Sequence, residues 1–208
     1  MSTISIFGAG NVARGIATRA VASGDSVQLL VRDAEKGAAL AAELGGDVTV
    51  SPLDATVTGD LVFIALPYLA VAETLAPIAA QLAGKVVVDA TNPVNATFTG
   101  LATAPGTSGA KEIAALLPGA AVVKAFNTVF AGNVIAGSKD GATLDLFVAA
   151  DDADAKAAVT AFGEKAGFRV IDAGSLEFAG ILEGIAWLHI QLQFTRGTQF
   201  ASAITIVD

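Results

Sequence analysis

The chain has 208 residues, which favours one domain with at most a small appendage and is long enough to bury a sizeable core. Its net charge of −8 excludes bulk attraction to nucleic acid or an anionic membrane, and the lack of cysteine excludes disulfides, thiolate nucleophiles and zinc–thiolate sites; a single histidine, His189, excludes a multi-histidine metal site. Mean hydropathy is +0.64, yet the apolar runs are short and broken, as over 61–66 before Pro67, and none reaches the roughly 18 residues of a spanning helix.

The N-terminus lacks the charged and apolar regions of a signal peptide, so a cytoplasmic location is expected. A strand over 3–7 runs into Gly8-Ala9-Gly10-Asn11-Val12-Ala13 and a helix over 11–22. This G-x-G-x-x-A turn suits a dinucleotide pyrophosphate, which must approach bare backbone. Gly8 permits the tight turn and Gly10 leaves room for the phosphates. Ala13 keeps the helix close to its strand, while the helix N-terminus presents N–H groups. Asn11 and Arg14 lie in the first helical turn, where either a phosphate contact or a surface position suits them.

Ser23-Gly24-Asp25 breaks the first helix before a strand over 26–31. An acidic residue usually ends that strand when the ligand is NAD. Here Leu30 and Val31 stand there, followed by Arg32, Asp33 and Lys36. An arginine at this turn can pair bidentately with a 2′-phosphate, which favours NADP; the plainer reading makes Arg32 a solvated loop residue and Asp33 a cap.

A helix over 34–44 and a strand over 47–50 follow. Ser51-Pro52 reads as an N-cap with proline at the first helical position. Next come strands over 60–65 and 85–89 around a helix over 67–82. The segment 92–107 has no clear periodicity, and a loop of that length in a compact domain is often functional. Helices over 108–117 and 152–166 and strands over 121–125, 142–149 and 168–171 complete the alternation, with Asp151 and Asp152 suited to a helix start. Lys124 sits in an apolar strand pattern, its head expected to emerge at the sheet edge. Asn127 is placed to hydrogen-bond a ligand carboxamide or carbonyl, or else to cap a loop. Asp172 is expected to cap the Ala173-Gly174 turn rather than to pair with Glu183.

From Ser175 the tail fits both periods. Ile181, Ile185, Leu188 and Leu192 form a helical seam, while 187–194 also alternates as a strand would; length favours a helix with a break near Gly197. His189 and Trp187 are expected to be packing residues there. The βα alternation predicts an α/β fold: a Rossmann-type, doubly wound, mostly parallel sheet of about eight strands with a small helical C-terminal part. The expected division is an NADP-binding domain over 1–173 and a helical extension over 174–208.

The turn GAGNVARGIA, the segment FIALPY (63–68), the run GAKEIAALLPGAAVVKAFNTV (109–129) and VIDAGSLEFAGILE (170–183) together resemble NADPH-dependent reductases of the deazaflavin coenzyme F-420. They are also similar to the oxidoreductase domain of the six-transmembrane metalloreductases. The AFNT motif at 125–128 is closer to the metalloreductase version. The resemblance implies hydride transfer between NADP(H) and a flavin-like ring, with coenzyme F-420, FMN or FAD as second substrate, and a homodimer. It implies that Gly8, Gly10, Asn11, Val12 and Ala13 hold the pyrophosphate and that Arg32 faces the 2′-phosphate. Leu66, Pro67 and Tyr68 would flank the adenosine and ribose. Asn92, Pro93, Ala125, Phe126, Asn127 and Thr128 would line the nicotinamide side.

Hydride transfer between stacked rings needs no side-chain nucleophile, so no catalytic side chain and no metal are expected. The partner expected is a small-molecule redox acceptor, with neither nucleic acid nor membrane. Two other readings stay open: an NADPH-dependent dehydrogenase of a small carbonyl or imine, for which the roughly 35 residues after Asp172 leave little room, and a non-enzymatic NADP(H) sensor.

Overall fold

The computed structural model describes residues 2–207. β1 (Thr3–Phe7) leads through the glycine turn into α1 (Asn11–Ala22), followed by β2 (Ser26–Val31), α2 (Ala34–Leu44), β3 (Val48–Pro52) and β4 (Leu61–Ile64). Two short helices, α3 (Val71–Leu75) and α4 (Ala79–Leu82), lie between β4 and β5 (Val86–Asp89). α5 (Gly109–Leu116), β6 (Ala121–Lys124) and α6 (Ala131–Ala136) come next, then a small hairpin of β7 (Ser138–Lys139) and β8 (Ala142–Thr143). The chain ends with β9 (Asp145–Ala150), α7 (Ala153–Lys165), β10 (Arg169–Asp172) and α8 (Ala179–Arg196).

Eight strands form one sheet in the order β10-β9-β6-β5-β4-β1-β2-β3. Every pairing is parallel except β6 against β9, where Val123 faces Ala150. The strand order reverses beside β1, so the crevice at the C-terminal ends of β1 and β4 is the switch point where open α/β sheets bind ligands. Side chains alternate across the sheet. Ile4 and Ile6 join a core under α1 and α7, while Phe7, Leu30 and Ile64 join a second core under α3, α4 and α5.

Several expectations meet corrections. Ser51-Pro52 starts no helix; both residues end β3, an edge strand where proline's missing N–H costs no ladder bond. The helix expected over 67–82 is cut into 3-10 turns and two short helices, because Pro77 cannot complete an α-helical bond. The strand expected over 142–149 is divided at Leu144 into a hairpin strand and β9. The helix α6 was not foreseen. In contrast, Asp33, Ser108 and Asp152 all cap helices, accepting from Lys36 N, Lys111 N and Ala155 N. Asp172 accepts from Gly174 N at 2.8 Å, the expected turn cap.

Candidate functional site: a dinucleotide crevice

The glycine turn has the geometry its residues imply. Gly8 has φ +120°, and a Cβ there would lie 2.6 Å from the Ala65 carbonyl oxygen, so only glycine fits. At Gly10 a Cβ would meet nothing within 4 Å. The space over Gly10 is therefore left by the protein rather than filled by it. Gly10 is the N-cap of α1 and supplies no side-chain cap, so the first N–H groups of the helix have no side-chain acceptor from it. These features fit an anionic pyrophosphate.

From this turn opens a cavity of about 710 Å³. Gly8 and Gly10 lie on its floor, Leu66 and Pro67 on one wall, and Arg32 and Lys36 at the side that follows β2. Arg32 and Lys36 are exposed cations beside a neutral strand end, the charge a 2′-phosphate requires. Asp33 lines the same cavity, accepts from Lys36 N as the cap of α2, and lies 3.7 Å from Lys36 Nζ. Asn11 is exposed at the first position of α1, and Val12 is half-buried against the core. Ala13 is fully buried, which brings α1 close to the sheet. Arg14 pairs with Glu43 of α2 at 2.8 Å.

The other candidate residues follow the ends of β5 and β6. Ala125 is buried in the core, and the next residue, Phe126, has φ 67°, a left-handed conformation rare for a bulky side chain. Its ring is gripped by Phe63, Phe162 and Phe168 at centroid distances of 5.7, 6.0 and 5.7 Å. That packing offsets a backbone cost of roughly 1–3 kcal/mol and forces the chain to reverse into Asn127. Asn127 Nδ2 donates to Asn92 Oδ1 and to the Leu182 carbonyl, both at 3.1 Å, while Asn92 Nδ2 donates to the Asn127 carbonyl at 2.9 Å. Both amide protons of Asn127 are thus committed, and its buried Oδ1 has no partner. What Asn127 has left is an acceptor, which suits the N–H of a carboxamide and not a ring carbonyl.

Tyr68 follows Pro67 of the cavity wall and packs at Gly109. A Cβ on Gly109 would come within 2.9 Å of its ring, 3.2 Å of Glu183 Oε1 and 3.4 Å of Pro93. Its hydroxyl donates to Glu112. Burial, and then the Glu112 carboxylate, push the phenol above its ordinary range, so it stays a donor at all working pH.

A model of the family "NADP oxidoreductase coenzyme F420-dependent" matches residues 3–93. The "F420-dependent NADP reductase" of Methanothermobacter thermautotrophicus is 34% identical over 208 aligned positions, covering 92% of this chain and 89% of the relative. The chain belongs to the coenzyme F-420-dependent NADP oxidoreductase family. Rat "Metalloreductase STEAP3" is also 34% identical, over 88% of this chain, which spans only 36% of that protein's length. Among solved structures, a protein of Arthrobacter sp. FB24 provisionally named as an F420-dependent NADP-reductase superposes with a TM-score of 0.88 over the whole of both chains, at 27% identity. Among the described residues, no helix is long and apolar enough to cross a membrane and no cluster suits a metal ion.

In this oxidoreductase, Lys124 corrects its expected place at the sheet edge. Lys124, Asp89 and Glu183 are 0%, 0% and 1% exposed. The ammonium contacts Asp89 Oδ2 at 2.8 Å and Glu183 Oε1 at 3.0 Å and donates to the Thr91 carbonyl at 2.7 Å. The pattern VVKAF already held the signal: a lysine midway through an apolar strand that ends at the ligand edge needs a buried counter-charge. Its partner Glu183 comes from α8, a separation that spacing alone does not reveal. His189 is a packing residue as expected, stacked on Phe130 at 4.1 Å with its Nε2 at 2.8 Å from Ser202 Oγ.

Proposed function

We propose that the chain is an NADPH-dependent reductase that exchanges hydride with a deazaflavin of the coenzyme F-420 type or with a flavin. The observation that carries this is a cavity with a bare glycine floor and Arg32 and Lys36 in its lining; the interlocked amides of Asn92 and Asn127, which follow β5 and β6, add to it. When bound, NADPH supplies the hydride, and the protein supplies position and exclusion of water. Arg32 holds the 2′-phosphate. Gly8, Gly10 and the N–H groups of Asn11 and Val12 hold the pyrophosphate, Leu66 and Pro67 flank the adenosine and ribose, and Tyr68, packed at Gly109 near Pro93, stands toward the nicotinamide side. Asn127 Oδ1 takes the carboxamide N–H, which fixes the ring face turned to the acceptor. The helical extension over 174–208 bounds the acceptor side, since Leu182 and Glu183 reach Asn127 and Lys124.

The relatives named as F420-dependent NADP reductases support the deazaflavin as acceptor. Cytoplasmic residence follows from the same reading. The exposed apolar face of α8 supports a homodimer. Anaerobic mixing with NADPH and each of coenzyme F-420, FMN and FAD tests the reading: a fall in NADPH absorbance with one of them is expected. Turnover confined to a panel of carbonyls and imines would overturn it in favour of a small-substrate dehydrogenase, and tight NADPH binding with no turnover at all in favour of a sensor.

A further inference from the structure

Both ends of the long loop over 92–107 are tied to one buried ion pair. At the entry, the Thr91 carbonyl accepts from Lys124 Nζ at 2.7 Å, and Thr91 N donates to Asp89 Oδ1 at 2.9 Å. At the exit, Glu183 Oε2 accepts from Gly109 N at 2.9 Å and Glu183 Oε1 from Ala110 N at 3.2 Å. Lys124 and Glu183 join these anchors at 3.0 Å. The segment between them carries Asn92 and Pro93, and it closes on itself through a bridge of Val94 to Leu101 and a bond from Ala102 N to the Pro93 carbonyl. The first of these residues is then clasped to Asn127.

Two carboxylates and an ammonium placed out of water are costly, and well-packed apolar side chains often stabilise a fold as well. This ammonium donates to Asp89 Oδ2 and the Thr91 carbonyl and pairs with Glu183 Oε1, and these partners stand at the end of β5, just after it, and on α8. We propose that Lys124 and Glu183 are positioning residues: their ion pair holds the two feet of the 92–107 loop at one distance, and so sets Asn92 and Pro93 against the nicotinamide half of the dinucleotide. This rests on the reading of the crevice as an NADP(H) site. No bond of either residue goes to the cavity beside Arg32, which is formed by other elements.

The test uses two probes on the full chain, adenosine 2′,5′-bisphosphate, which reaches only the cavity beside Arg32, and NADP⁺, which also reaches the loop. Both are titrated calorimetrically against the parent, Lys124→Met and Glu183→Gln. The parent should bind both; failure to bind the bisphosphate would overturn the NADP reading itself. In either variant the bisphosphate affinity should stay at the parent's value, while NADP⁺ weakens on the order of tenfold, the worth of roughly one buried hydrogen bond. Variants that keep the parent's affinity for both probes would overturn the positioning role. Loss of bisphosphate binding in both variants would overturn it too, because the pair would then be a requirement of the whole fold.

Discussion

Arg32 is the residue on which the choice of dinucleotide turns. It lines the cavity with Lys36, and β2 ends in Leu30 and Val31 with no carboxylate to bond a ribose 2′-hydroxyl. Arg32→Ala should weaken NADP⁺ by about 1.5–3 kcal/mol, a charge-assisted contact, and leave NAD⁺ unchanged in a fluorescence titration. Equal losses for both would place Arg32 outside the phosphate site. This much was legible from the chain, since the glycines, the missing acid and the arginine are neighbours in sequence. Asn127 was legible as a position and not as a chemistry. Which of its atoms is left for a ligand depends on Asn92 and on Leu182, 35 and 55 residues away.

At the scale of elements, α8 illustrates the limit of periodicity. Its spacing gave a helix and an end at Gly197, and the helix does end there, in the left-handed conformation that glycine adopts readily. The seam of Ile181, Leu188 and Leu192, however, is not core. Ile181 and Leu188 are 57% and 60% exposed, whereas the buried face carries Glu183, His189 and Gln193. Polar residues lie inward because they have partners there: Lys124, Ser202 and the His189 carbonyl. An apolar helix face of this length turned to solvent is the surface on which two copies would associate. Leu188→Lys should convert a dimer to a monomer in sedimentation velocity without unfolding it. A parent that sediments as a monomer would remove the dimer from the proposal.

For the molecule as a whole, a mostly parallel sheet of about eight strands followed from alternation, but the order of the strands and the reversal of β9 did not. Nothing in the apolar pattern of 145–150 differs between a parallel and an antiparallel central strand. Stability against pH also belongs to this scale. Burial lowers the His189 pKa below its ordinary 6.5, with the Thr128 backbone opposing, so the native state resists protonation where the unfolded chain accepts it. His189 therefore contributes stability above about pH 6.5 that is lost as the pH falls through its lowered value. The melting temperature should fall between pH 7 and 5, and His189→Gln should flatten that part of the curve. Below it, Asp145, held low mainly by Arg169, and Asp172, held low mainly by Lys156, add to the acid limb.

The reversed strand also decides how the chain gets home. Because β9 runs against β6 with Lys124 opposite Ala149, and Asp172 of β10 lies opposite Val148, the polypeptide leaves β10 level with the C-terminal end of β6. α8 begins at Ala179 only a few residues later, so Leu182 and Glu183 fall in its first turn and a half. Such a helix delivers by rotation as well as by distance, each residue turning the face by about 100°. The Leu182 carbonyl and the Glu183 carboxylate meet their partners at one phase of that screw. An insertion between Ala179 and Glu183 would turn both groups away from those partners, while the stretch after Gly197 is free of that phase.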